Sequence, residues 1–130
     1  MKLNTFLSIV GIVAILYGAA FVTIPVALLA QYGITADPRM VLISRLFGAA
    51  LINLGLLLWF ARNTVDSQAR KAIVLAGLVG DLVGLVAALQ GQLRSLANAL
   101  GWSTVLIYAL FAIGFAYFQF APQRSSESGK

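Results

Sequence analysis

Four long apolar runs, about 3–24, 38–61, 71–89 and 102–120, alternate with short segments that hold most of the charges. Each run reaches the roughly 20 residues that a helix rising 1.5 Å per residue needs to cross about 30 Å of hydrocarbon. The pattern predicts an all-α protein, an integral membrane four-helix bundle with antiparallel, up-and-down spans. Residues 1–130 read as a single membrane domain, and the Ser-rich, charged tail at 121–130 reads as mobile. The first run follows a lone charge, Lys2, and contains Gly18-Ala19-Ala20, features of a secretory signal peptide. Its apolar stretch continues to Pro25, so we read it as a membrane span.

The punctuation between runs is specific. Pro25 suits a first helical position and opposes continuation of the preceding helix. The piece Val26 to Tyr32, closed by Gly33, reads either as a short interfacial helix anchored by Leu28, Leu29 and Tyr32 or as a proline-kinked extension of the first span. Asp37-Pro38 reads as an N-cap followed by proline at the first helical position. Trp59 and Trp102 read as interfacial belt residues. The polar connector Arg62 to Arg70 offers Asp66 or Ser67 as cap of the third span. Gln90 to Gly101 mixes Gln90, Gln92, Arg94 and Asn98 with leucines, as a helical extension or an amphipathic re-entry would. Pro122 ends the last span.

Composition excludes several classes of function. The chain is 61% hydrophobic and 10% charged, with mean hydropathy +0.94, against about 25% charge in a soluble domain. A chain of 130 residues cannot hide that much apolar surface within itself, so the excess faces lipid. There is no Cys and no His, which removes thiolate and imidazole chemistry, disulfides and the usual haem, iron–sulfur and zinc ligation. The four carboxylates, Asp37, Asp66, Asp81 and Glu127, are few for a cage around a hard cation. The expectation is no enzyme, no cofactor and no metal. The net charge of +5 lacks the basic cluster with interleaved aromatics that nucleic acid would need, so it reads as topology signal and contact with lipid headgroups. Lys2, Arg62, Arg70, Lys71, Arg124 and Lys130 fall on one side and Arg39, Arg45 and Arg94 on the other, which predicts both termini in the cytoplasm.

Glycines recur every seven residues in three spans: Gly11 and Gly18, Gly48 and Gly55, then Gly77, Gly84 and Gly91. Seven residues is close to two turns, so each set lays a smooth strip on one helix face and favours close, left-handed crossings. The expected bundle brings the first three spans close together, with the fourth, carrying Phe111, Phe115, Tyr117 and Phe118, as the bulkier one. Gly80 and Gly84 form a GxxxG pair, read as intramolecular packing with homodimerisation as the alternative.

Asp81 lies about ten residues into the third span, roughly 15 Å deep. An acid there costs on the order of 2.5 to 3.5 kcal/mol on insertion scales, so it must face protein or water and find a partner or stay protonated. Arg45, Ala49 and Asn53 form a row at four-residue spacing on the second span. By rise alone Arg45 is about 24 Å and Asn53 about 12 Å from the cytoplasmic edge, so Arg45 is the expected counter-charge and Asn53 the nearer neighbour. The cluster of Asp81, Arg45 and Asn53 reads either as a polar clamp fixing helix register or as the centre of a relay or binding pocket. Tyr17, Thr23, Tyr108 and Tyr117 line the same interior or else belong to the interfacial belt.

The order of features resembles a group of small bacterial four-helix membrane proteins, loosely DoxX-like. The matching residues are Tyr17-Gly18 before Pro25, the stretch from Leu28-Leu29 to Tyr32-Gly33, Asp37-Pro38, and Ser44-Arg45-Leu46-Phe47-Gly48-Ala49-Ala50 leading to Leu54-Gly55. The resemblance covers most of the first two spans and implies the bacterial inner membrane, four helices and no set activity. Thiosulfate or quinone chemistry of redox members has no support from a chain without cysteine. The reading is a noncatalytic binding or accessory subunit that contacts membrane lipids and packs as a homo-oligomer or in a larger complex. The alternative is a small transporter or channel with Asp81 as its titrating group.

Overall fold

The computed structural model describes residues 1–121; the expected mobile tail beyond Ala121 lies outside them. The order is α1 (Leu3–Thr23), α2 (Pro25–Gln31), α3 (Pro38–Ala61), α4 (Ser67–Leu93) and α5 (Gly101–Phe120). All but α2 are long and apolar enough to cross a membrane, so the chain is a multi-pass membrane protein. Asp37 caps α3 through a 2.9 Å bond from the Met40 N–H. Asp66 caps α4 through the N–H groups of Gln68 and Ala69. At Ile24 the backbone leaves helical geometry (φ −130, ψ 51) and Pro25 restarts it, so α2 is a separate short helix. The third span is longer than its apolar run: α4 reaches Leu93, making Gln90–Leu93 a helical extension, and a turn through Ser95 (φ 56) follows.

The spans pack as two pairs, α1 with α3 and α4 with α5. In the first pair glycine meets glycine. A Cβ on Gly48 would lie 2.6 Å from the Gly18 carbonyl oxygen, and one on Gly18 would lie 2.6 Å from that of Gly48. Gly55 and Gly11 repeat the arrangement at 2.7 and 2.9 Å. Both backbones touch at two levels one heptad apart, the approach that drives association where lipid is as apolar as leucine. In the second pair glycine receives an aromatic ring: Phe115 lies over Gly77, where a Cβ would come within 2.5 Å, and Tyr108 lies over Gly84. This corrects the expectation of three closely approaching spans. The α4 strip is filled by the bulky fourth span rather than by the first two. A Cβ on Gly80 or Gly91 would meet nothing within 4 Å, so Gly80 takes no part in this packing.

The pairs are joined at both ends. At the basic end, which carries Lys2, Arg62, Arg70 and Lys71, a core forms from Phe6, Leu7, Val10, Leu58, Val74, Leu78 and Phe115. Phe6 is its wedge: it crosses from α1 into the notch left by Gly114 of α5 and meets Phe115 edge-on at 4.9 Å. At the opposite end Asn98 is a latch. Its side-chain amide donates to the Gln31 carbonyl (3.0 Å) and its N–H to the Tyr32 carbonyl (2.9 Å). Its Oδ1 accepts from the Leu100 N–H, and its carbonyl accepts from Gln92 Nε2. Asn98→Ala is expected to cost about 1 kcal/mol, the usual net worth of such bonds in a solvated loop. Hydrogen exchange should show the protection lost at Tyr32–Ile34 and Asn98–Leu100, with the basic-end core unchanged.

Candidate functional site

Between the two closed ends lie the partly buried polar side chains of Tyr17, Tyr32, Asp81, Thr104 and Tyr108. Asp81 joins them because α4 turns the face bearing Gly77, Gly84 and Asp81 toward α5. Its Oδ2 is buried and has no hydrogen-bond partner among the described residues. Tyr108 reaches α4 across the bare backbone of Gly84 and comes near enough to Asp81, one turn away on the same helix, for the two groups to interact electrostatically. One turn before Tyr108, Thr104 donates its hydroxyl to the Tyr32 oxygen at 3.2 Å. Tyr17 of α1 comes close to Tyr32 in turn. The hydroxyls of Tyr17, Tyr32 and Thr104 therefore lie toward the Asn98 latch, with Tyr108 next along α5 and Asp81 beyond it.

The expected cluster of Asp81, Arg45 and Asn53 is not brought together. Arg45 and Asn53 are exposed on the outside of α3, because Ser44, Gly48, Gly55 and Leu58 turn the other side of that helix inward. The row at four-residue spacing exists but faces outward, since α3 packs on α1 and meets α4 only slightly. Asp81 thus has no counter-charge in Arg45, and a clamp lacks its second jaw. Among the tyrosines, Tyr17 and Tyr108 face inward, whereas Tyr117 is 62% exposed. Thr23 turns back on its own helix to the Ala19 carbonyl at 2.7 Å. Tyr32, expected as an interfacial anchor, and Thr104 were not assigned to the interior by sequence. Thr104 carried a signal: Gly101, Thr104, Tyr108, Ala112 and Phe115 recur at intervals of three and four, a single helix face.

An unpartnered carboxyl oxygen beside a phenol hydroxyl accepts protons, hydrogen-bond donors or a cation. Among the described residues no group of three acidic, His or Cys side chains gathers to hold a metal ion. In comparisons with known proteins, residues 1–116 match a family described as a domain of unknown function (DUF8292). That description carries no DoxX link. No curated protein and no solved structure matches the chain.

Proposed function

The chain belongs to the DUF8292 family, and on that premise we propose that it is a noncatalytic binding protein of the bacterial inner membrane. Its site is the face of α4 that α5 covers around Asp81 and Tyr108, and its ligand presents a positive charge or hydrogen-bond donors to these two side chains. The observation that carries this reading is the buried, unpartnered Oδ2 of Asp81. A polar atom held in the membrane without a protein partner is costly and marks a site for something else. The excess of basic residues at the end bearing Lys2 and Arg62 supports cytoplasmic termini. The four long apolar helices support a place in the membrane.

Native mass spectrometry of the protein released with its lipids tests the reading. A stoichiometric nonlipid adduct on the wild type that Asp81→Asn lacks is the expected result. No adduct, or the same adduct on both, overturns it. The second reading is a small transporter or channel, favoured by the hydroxyls of Tyr17, Tyr32 and Thr104 that extend from the site toward the latch end. It predicts pH-driven flux in proteoliposomes that Asp81→Asn abolishes.

A further inference from the structure

α3 carries two seams. Ser44, Gly48, Leu51, Gly55 and Leu58 recur at alternating intervals of four and three; Ser44, Gly48, Gly55 and Leu58 are buried, and Gly48 and Gly55 meet α1. On the opposite side Leu42, Leu46, Ala49, Asn53, Leu56 and Phe60 recur at the same intervals, and all six are exposed. Leu46 and Phe60 expose 63% and 73% of their surface. At about 100° per residue, Asn53 stands roughly 180° from Ser44, on the midline of the outer seam.

The apolar members of this seam need no cover in lipid, but Asn53 does. It lies about 12 Å along the helix axis from Ala61 and about 22 Å from Pro38, inside the hydrocarbon, where no lipid group replaces the lost hydrogen bonds of a carboxamide. The covering surface must therefore present donors and acceptors at that depth. A second copy does so automatically. Copies inserted in the same direction pack α3 on α3 in parallel about an axis along the membrane normal, which brings Asn53 to its own counterpart at equal height. A carboxamide holds both donors and an acceptor, so the pair is self-complementary. A heptad seam with one asparagine is also the pattern that fixes register and strand number in coiled coils. Arg45 is not forced against its counterpart. It lies about 80° around the helix from Asn53 and about 12 Å nearer the latch end, where its long side chain reaches headgroups.

We propose that the protein is a homodimer in the membrane through the outer seam of α3, with Asn53 hydrogen-bonded to its counterpart in the second copy. This stands independently of the reading of Asp81. The shallow groove on α4 lined by Leu82, Val83, Val86, Ala87 and Gln90 has no polar group along its membrane part and is left to lipid.

The chain has no cysteine, so single substitutions report proximity without background. In the full chain reconstituted into bilayers, Leu46→Cys, Ala49→Cys and Leu56→Cys are each expected to give oxidised dimers. Leu54→Cys, at the side of α3, and Val83→Cys on α4 should give about tenfold less. In the Ala49→Cys background, Asn53→Leu should lower the dimer fraction on dilution in lipid about tenfold, while Asn53→Gln keeps it. Because Asn53 points away from α1, Asn53→Leu leaves the folded monomer intact, and circular dichroism checks this. Crosslinks that peak at Val83→Cys, no crosslinks on α3, or α3 crosslinks undiminished by Asn53→Leu overturn the proposal.

Discussion

Gly48→Leu is expected to destabilise the folded protein by about 3 kcal/mol, the upper part of the range for overpacking a tight contact. The Cβ alone would stand 2.6 Å from the Gly18 carbonyl oxygen and 2.8 Å from Phe21 Cβ, and neither backbone can swing aside as a side chain can. The remedy is to push α1 and α3 apart along their whole length, which also opens the Gly11–Gly55 level. Water exclusion does not hold transmembrane helices together, so a pair parted by a leucine loses the contacts that define it. The unfolding midpoint in mixed detergent measures the loss. Gly80→Leu is the control, since nothing lies within 4 Å of its Cβ position, and its effect should stay within about 0.5 kcal/mol. Equal losses for the two substitutions would mean that the glycine pairs do not set the helix separation.

The distinction between these glycines was only half legible in the sequence. The seven-residue interval placed Gly11, Gly18, Gly48, Gly55, Gly77 and Gly84 on packing faces, because helical periodicity fixes which residues share a face. It did not say which helix each face would meet. That depends on what fills the strip, and Phe115 and Tyr108 of α5 have the volume to fill the notches at Gly77 and Gly84. The caps at Asp37 and Asp66 were legible for a local reason: a carboxylate needs only the N–H groups two or three residues on. Asn98 was visible only as one polar residue in an ambiguous segment. Its partners Gln31 and Tyr32 are more than 60 residues away, and no local rule reaches them.

The same limit explains the misplaced cluster. Depth along a span follows from counting residues, so Asp81 and Asn53 were placed at comparable heights. The direction in which a helix face points follows from its neighbours. Once Gly48 and Gly55 turn toward α1, Asn53 must point outward, because it stands about half a turn away from that face. Asp81, on the strip that α5 covers, points inward and loses the expected partner. The two groups thus serve different surfaces: one lies on the α4 face that α5 covers, the other on the outside of the bundle.

Asp81→Asn is expected to leave the fold intact and to remove a pH-dependent binding response. Breaking a buried ion pair costs about 3–5 kcal/mol because it strands a charge. Here Asp81 Oδ2 has no hydrogen-bond partner among the described residues to strand, so the unfolding free energy should change by less than about 1 kcal/mol. Arg45→Ala, exposed on α3, should change it by less than about 0.5 kcal/mol. A large loss from Arg45→Ala would restore the clamp. The binding probe is octylammonium, whose charged head donates hydrogen bonds and whose chain suits an apolar interior, titrated against the protein in lipid nanodiscs at pH 5 and pH 8. The ammonium stays charged across that range, so any pH response belongs to the protein. An ammonium is held by the ionised carboxylate, so wild-type affinity should rise with pH. Asp81→Asn offers the same shape without the charge and should bind weakly and equally at both values. Tyr108→Phe, which keeps the ring over Gly84 and removes only the hydroxyl of the tyrosine nearest Asp81, should weaken binding at both pH values while preserving the rise. A wild type that binds no better at pH 8, or an Asp81→Asn protein that still responds to pH, would separate Asp81 from the ligand site.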